Sequence, residues 1–409
     1  MKKNIELKII GGYILLFLMI IFFIKSYFYP DLLSEHNFIN WDAGHYNSIR
    51  KTGYHGFLLA FFPFFPMLWK LFSLSIYGVV LMNVLIYFTA FYFLIKPLKL
   101  KALELFLFLS IPSAIFFYLP YSEAVFFACS VILLLGIRED KLPMILLGLF
   151  LCVLTRPSFT VLIPSLLILE FFGVTRKEKI YQRILLYIIV SLTGLAVVGF
   201  IQYCYTNKWF EFFEVQKGWG NHLQVPKFPL TSWGGNMIVR LDGIAFAIGL
   251  VSGVFLLLNI LKIKINKNSI IPNDVLFSLA YLGGMTLTVF LFRGGSLFSL
   301  NRFIFATPFI LIAVNFFLKS DFIISYKHLL ILFFIMLLFW LMFGSYVHIQ
   351  AFLKYVLISV YMLLFLAFKT HNLLISKIST LLFILINLIF QVLFFTRFLL
   401  TEENIGWIG

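Results

Sequence analysis

One carboxylate stands among rings in the segment Asn40-Trp41-Asp42-Ala43-Gly44-His45-Tyr46. An ionised side chain beside a membrane span is costly unless it has a partner or a task. Asp42 has the character of a general base, able to take a proton from a sugar hydroxyl. If the segment is helical, Asp42, His45 and Tyr46 share a face at i, i+3 and i+4. Asp42 would then accept the proton while His45 or Tyr46 orients the hydroxyl. A plainer account has Asp42 capping a short helix and Trp41 anchored among lipid headgroups. No second His or Cys stands at helical spacing from His45, so a metal centre is not expected there.

Other residues of chemical interest lie far apart in the chain. Glu123 follows Pro120-Tyr121-Ser122 at a tight turn, where it would bind sugar hydroxyls, hold an arginine or cap a helix. Arg156 lies in Thr155-Arg156-Pro157, and Arg293 and Arg302 flank Gly294-Gly295 and Asn301. The planar fork of arginine suits phosphate oxygens. The reading gives Arg302 and Arg156 to a departing phosphate, so no metal or other cofactor is called for. Residues 206–236 carry Trp209, Gln216, Trp219, His222 and Trp233. Tryptophan and amide groups suit a pyranose, which is apolar on its face and polar at its rim, and tryptophan equally suits a membrane interface. The prolines of Phe61-Phe62-Pro63-Phe64-Phe65-Pro66 would kink a chamber wall or shape a re-entrant wedge.

The elements that must position these residues are membrane spans. Hydrophobic residues make up 62% of the 409 and charged residues 12%, against about 45–50% and roughly 25% in soluble domains. The net charge of +15 comes as short basic clusters between apolar runs, a membrane-orientation pattern rather than a nucleic-acid footprint. Cys129, Cys152 and Cys204 have no metal-ligand spacing and read as packing residues. The apolar run after residues 1–12 is too long for a cleavable signal and reads as a retained helix.

About thirteen spans are expected, near 9–28, 59–95, 102–119, 123–137, 142–155, 158–172, 184–205, 237–261, 274–292, 303–318, 329–347, 350–368 and 378–398. The basic clusters Lys96–Lys101, Arg138–Lys141, Arg176–Arg183, Lys262–Lys267, Lys319–Lys327 and Lys369–Lys377 then share one side with the N-terminus, the cytoplasmic side. The first outer loop (29–58, with interfacial helices), the Glu123 turn, Arg156, the second outer loop (206–236) and residues 293–302 share the other. Residues 1–409 form a single membrane domain in this reading, with no soluble module and no repeat. Arg240 and Arg397 read as snorkelling residues.

In order, Trp41-Asp42-Ala43-x-His45-Tyr46, Gly53-Tyr54 and Ala60-Phe61-Phe62-Pro63-x-x-Pro66 resemble the signature of PIG-V-type mannosyltransferases. Pro112-Ser113-Ala114-Ile115-Phe116, Pro120-Tyr121-Ser122-Glu123, Thr155-Arg156, Gln216-x-x-Trp219-Gly220 and Ser299-x-Asn301-Arg302-Phe303 are similar to later motifs of that family. Pro157-Ser158 departs from the Asn-Gly-like pair often found there. The resemblance implies a GT-C fold, an all-α polytopic bundle with its active site on the outer face. It also implies an inverting transfer from a polyprenyl-phosphate sugar, with mannose as precedent and Asp42 as base. The acceptor would be a glycan, lipid or protein at the outer face of the cytoplasmic membrane. A multispan transporter or lipid-sugar flippase would share the spans but place polar residues at the midplane of broken helices. A polysaccharide polymerase or ligase would use a lipid diphosphate and larger outer loops.

Overall fold

The computed structural model describes residues 5–174, 179–232, 235–265, 271–344 and 349–400, with no side-chain description for 235–240, 263–265 and 349–351. Trp233, Arg176, Lys177, Lys267 and the Arg240 side chain therefore lie outside the described residues. The described chain is helical throughout: α1 (Ile5–Tyr27), α2 (Asp42–Thr52), α3 (Phe64–Leu71), α4 (Ile76–Ile95), α5 (Ala102–Leu109), α6 (Glu123–Arg138), α7 (Leu142–Thr155), α8 (Phe159–Phe172), α9 (Ile180–Thr206), α10 (Phe212–Gly218), α11 (Gly235–Ile265), α12 (Asn273–Phe292), α13 (Leu300–Phe305), α14 (Pro308–Lys319), α15 (Tyr326–Trp340), α16 (Ile349–Leu366) and α17 (Leu373–Leu399). Among the described residues, eight helices are long and apolar enough to cross a membrane, and α7, α8 and α14 are shorter apolar helices. The chain has the architecture of a polytopic membrane protein.

Three of the expected runs are interrupted. The run 59–95 divides into a 3₁₀ turn (Gly56–Ala60), α3 and the true long helix α4. The run 102–119 stops at Leu109 and resumes as a 3₁₀ helix, Pro112–Phe117. The run 303–318 breaks between α13 and α14. Pro112 and Pro308 open the second piece in each case, since proline cannot donate to the preceding turn. At the first break Gln391 of α17 donates its amide to the carbonyls of Leu109 (3.1 Å) and Ile111 (3.0 Å). Neighbouring side chains thus satisfy backbone that lipid could not.

Close helix approach comes from small residues. Gly136 and Gly148 let α6 and α7 pack backbone to backbone: a Cβ on Gly148 would sit 2.5 Å from the Leu133 nitrogen. This antiparallel hairpin puts the start of α6 beside the end of α7. Gly249 and Gly253 of α11 meet Gly283 and Thr286 of α12 in the same way, the small-residue packing favoured in lipid.

The helix ends gather into two polar groups. In one, Arg138 pairs with Asp274 (2.7 Å), Arg183 pairs with Glu170 and Asp140 (2.7 Å each), and Lys319 donates to the Leu98 carbonyl (2.5 Å). In the other, Asn40 donates to the Phe398 carbonyl (2.8 Å), and the Leu230 amide donates to the Met342 carbonyl (2.7 Å). Asp42, Glu123, Arg156, Arg293 and Arg302 belong to this second end.

Candidate active site

Three arginines and three carboxylates converge at the second end. Arg302 Nη1 donates to Asp42 Oδ2 at 2.8 Å, and its Nε lies 2.8 Å from Glu123 Oε1. The same Glu123 oxygen takes the terminal nitrogen of Arg156. Arg156 Nε donates to Ser122 Oγ at 3.1 Å, and the Tyr46 hydroxyl donates to that oxygen at 2.9 Å. One continuous polar chain therefore joins α2, the start of α6, the end of α7 and α13.

Local structure explains each placement. Asp42 opens α2 at its first position, one residue after the N-cap Trp41, and its side chain caps nothing. Oδ2 is committed to Arg302, while Oδ1 makes no hydrogen bond among the described residues, and the side chain keeps 18% exposure. Glu123 opens α6 with no exposed side-chain surface. Of the roles open to it, holding arginines is the one the geometry has; direct sugar contact is not, because the side chain is sealed. Arg302 is nearly as enclosed. Its guanidinium meets both the Glu123 and the Asp42 carboxylate. The rings of Phe116, Tyr121 and Phe303 lie 5.4–5.6 Å from it.

Tyr46 points inward to Ser122, whereas His45 points to the rings of Phe57 (5.0 Å) and Phe61 (5.2 Å). The two residues therefore do not share a task. Phe61 meets Trp219 at 5.9 Å. Phe57 and Trp219 are about half exposed and Trp41, next to Asp42 in the chain, is 36% exposed, whereas Phe61 is buried. Gly53, at φ 81°, lies against the ring of Tyr205, where an added Cβ would approach within 2.2 Å. That contact brings the end of α9 against the end of α2.

A second network holds the remaining predicted residues. Arg293 Nε donates to Asn221 Oδ1 (3.0 Å), and Asn221 donates to Gln216 Oε1 (2.6 Å). Burial, then the nearby Arg302 charge, pushes the Arg293 guanidinium down to about 10. Asn301 donates through its backbone and side-chain nitrogens to Asp242 Oδ1 (2.8 and 2.7 Å) and accepts from Ser113 (3.1 Å).

Asp242 is the residue the sequence reading missed. It is fully buried near the start of α11 and also accepts from Ser232 at 2.5 Å. A carboxylate at the edge of a long apolar run was the available signal. Conversely, Arg302 and Arg156, read as phosphate ligands, are each engaged by carboxylates of the protein itself.

The chain matches no family model, and neither the curated proteins nor the solved structures include a match to it.

Proposed function

We propose that the protein is an inverting membrane glycosyltransferase that moves a hexose, with mannose as the family precedent, from a polyprenyl-phosphate donor. The observation that carries this reading is the half-committed carboxylate: Asp42 is anchored by Arg302 through Oδ2, while Oδ1 makes no hydrogen bond among the described residues and the side chain keeps partial exposure. An oriented carboxylate with one available oxygen is what general-base catalysis requires.

In this mechanism the acceptor hydroxyl lies at Asp42 Oδ1 and gives up its proton there. Its oxygen attacks the anomeric carbon from the face opposite the phosphate. The bond from that carbon to the phosphate oxygen breaks, and the lipid phosphate leaves with the electron pair. Positive charge in the arginine cluster favours that developing negative charge. The accessible rings of Trp41, Phe57 and Trp219 offer faces for a pyranose ring. Counting the interrupted segments 102–117 and 300–319 as crossings, the proposed bundle has thirteen, with a GT-C arrangement and the Asp42 end outside the cytoplasmic membrane. A glycan, lipid or protein acceptor would meet the donor there. The gathering of the arginines at helix ends on one side of the bundle, rather than at mid-depth, favours transfer over transport.

Purified protein in detergent, given a polyprenyl-phosphate mannose and envelope glycolipid extract, is expected to transfer the sugar. Asp42→Asn, which keeps shape and removes basicity, should lower the rate by about 10²–10⁴-fold with unchanged purification behaviour. Undiminished transfer by that variant would remove the base assignment.

A further inference from the structure

The three arginines at the proposed active site differ in what they have left to offer an anion. Arg302 meets Asp42 and Glu123, and Arg156 meets Glu123. Arg293 meets no carboxylate among the described residues. Its Nε donates to a neutral amide oxygen of Asn221, and its Nη1 donates to the backbone carbonyl of Phe298. Its Nη2 makes no hydrogen bond among the described residues, and the residue is only half-buried. Asp242, an acid whose field reaches it, is occupied by Asn301 and Ser232. A partly desolvated cation without an ion partner, next to a second cation, is costly until an anion arrives.

The surroundings hold this guanidinium in one place. The stretch after α10 runs beside the stretch after α12: the amides of His222, Gln224, Lys227 and Thr231 donate to the carbonyls of Phe292, Leu291, Gly294 and Gly295 at 2.9–3.2 Å. Gly294 and Gly295, at φ 56° and 90°, permit that approach; a Cβ on Gly295 would lie 2.5 Å from the Lys227 carbonyl oxygen. Gln216 accepts from Asn221 and ties α10 to the same clasp. The rings of Phe298 and Phe303 lie 5.3 and 5.7 Å from the guanidinium carbon.

We propose that Arg293, oriented by Asn221 and the Phe298 carbonyl, receives the phosphate of the lipid donor. Arg302 and Arg156 are then positioning residues that hold Asp42 and Glu123. This inference rests on the reading of the donor as a lipid phosphate.

The test is equilibrium binding of geranylgeranyl phosphate to the purified full chain in detergent, with geranylgeraniol and inorganic phosphate as comparators. Wild type should bind the phosphorylated lipid more tightly than the alcohol or inorganic phosphate. Arg293→Gln should weaken binding of the phosphorylated lipid by about 10–100-fold, the usual range for a lost charged hydrogen bond, and leave the alcohol unchanged. Arg293→Lys should fall between, because it keeps charge and loses the fork. If Arg293→Gln does not fold, Asn221→Ala keeps the arginine and removes its orienting acceptor; a loss of about 2–10-fold is then expected. Wild-type affinity in Arg293→Gln, or in Asn221→Ala where that variant stands in, overturns the assignment and leaves the glycosyltransferase reading standing. Wild type that binds phosphate lipid no better than the alcohol removes the lipid-phosphate reading and this inference with it. Inorganic phosphate that binds as tightly as the lipid overturns the lipid donor as its occupant.

Discussion

Two non-glycine residues at the site have positive φ: Trp41 at φ 55°, immediately before Asp42, and Ser299 at φ 63°, three residues before Arg302. Such conformations cost on the order of 1–3 kcal/mol each and persist where the surroundings over-determine them. Here they aim the two partners of one ion pair at each other. His45 offers a test at the same scale. Burial pulls its imidazole below the ordinary 6.5, and the Asp42 charge restores only part of that. As pH falls through 6.5 the unfolded chain takes up a proton that the folded chain refuses, so stability drops with acidification in the window just below neutrality. Thermal unfolding of detergent-purified protein from pH 7 to pH 5 should show that decline, and His45→Gln should flatten it. An identical slope in the variant would show that His45 does not titrate as described. Asp42, Arg156 and Arg302 were legible as candidates because charge in an apolar chain is rare. Their pairing was not, because it joins positions far apart in the chain. Asp242 escaped notice because it falls just inside the run expected as the span 237–261.

At the scale of elements, composition revealed apolar runs but not where they break. The stretches 102–119 and 303–318 are hydrophobic across their interruptions, so periodicity gives no warning. The decisive features are single prolines together with side chains such as Gln391 that accept the consequence. Helix contacts were equally hidden, since small residues matter only when the facing helix is known. The α11–α12 contact shows how tight these are. An added Cβ at Gly249 would lie 1.7 Å from Thr286 Oγ1 and 2.6 Å from its Cβ. Gly249→Ala should therefore destabilise the protein by about 1–3 kcal/mol through overpacking, read as an earlier unfolding transition. Gly249→Ala combined with Thr286→Ala should recover part of the loss. A single variant as stable as wild type would mean that the two helices sit further apart than described.

Among the described residues the buried ion pairs fall into two groups, and the proposed orientation makes the Asp42 group the outer one. That orientation rests on lysine and arginine bias, since insertion depends on local charge near span ends. A Cys204→Ser background carrying a new cysteine at exposed Lys51 or at exposed Glu139 tests this directly. A membrane-impermeant maleimide applied to intact cells should label Lys51→Cys and spare Glu139→Cys until the membrane is opened. The reverse pattern would turn the molecule over and put the site in the cytosol.

The link from Arg302 to both Asp42 and Glu123 also has a bearing on biogenesis. A ribosome makes roughly 5–20 residues per second, so the wait between Glu123 and its later guanidinium partner is on the order of 10–40 s. Through that interval two acids stand near the bilayer without the arginine that later balances them. Insertion of the early helices must therefore tolerate a provisional state, in which water, headgroups or Arg156 shelter those acids until the late segment arrives to complete the centre.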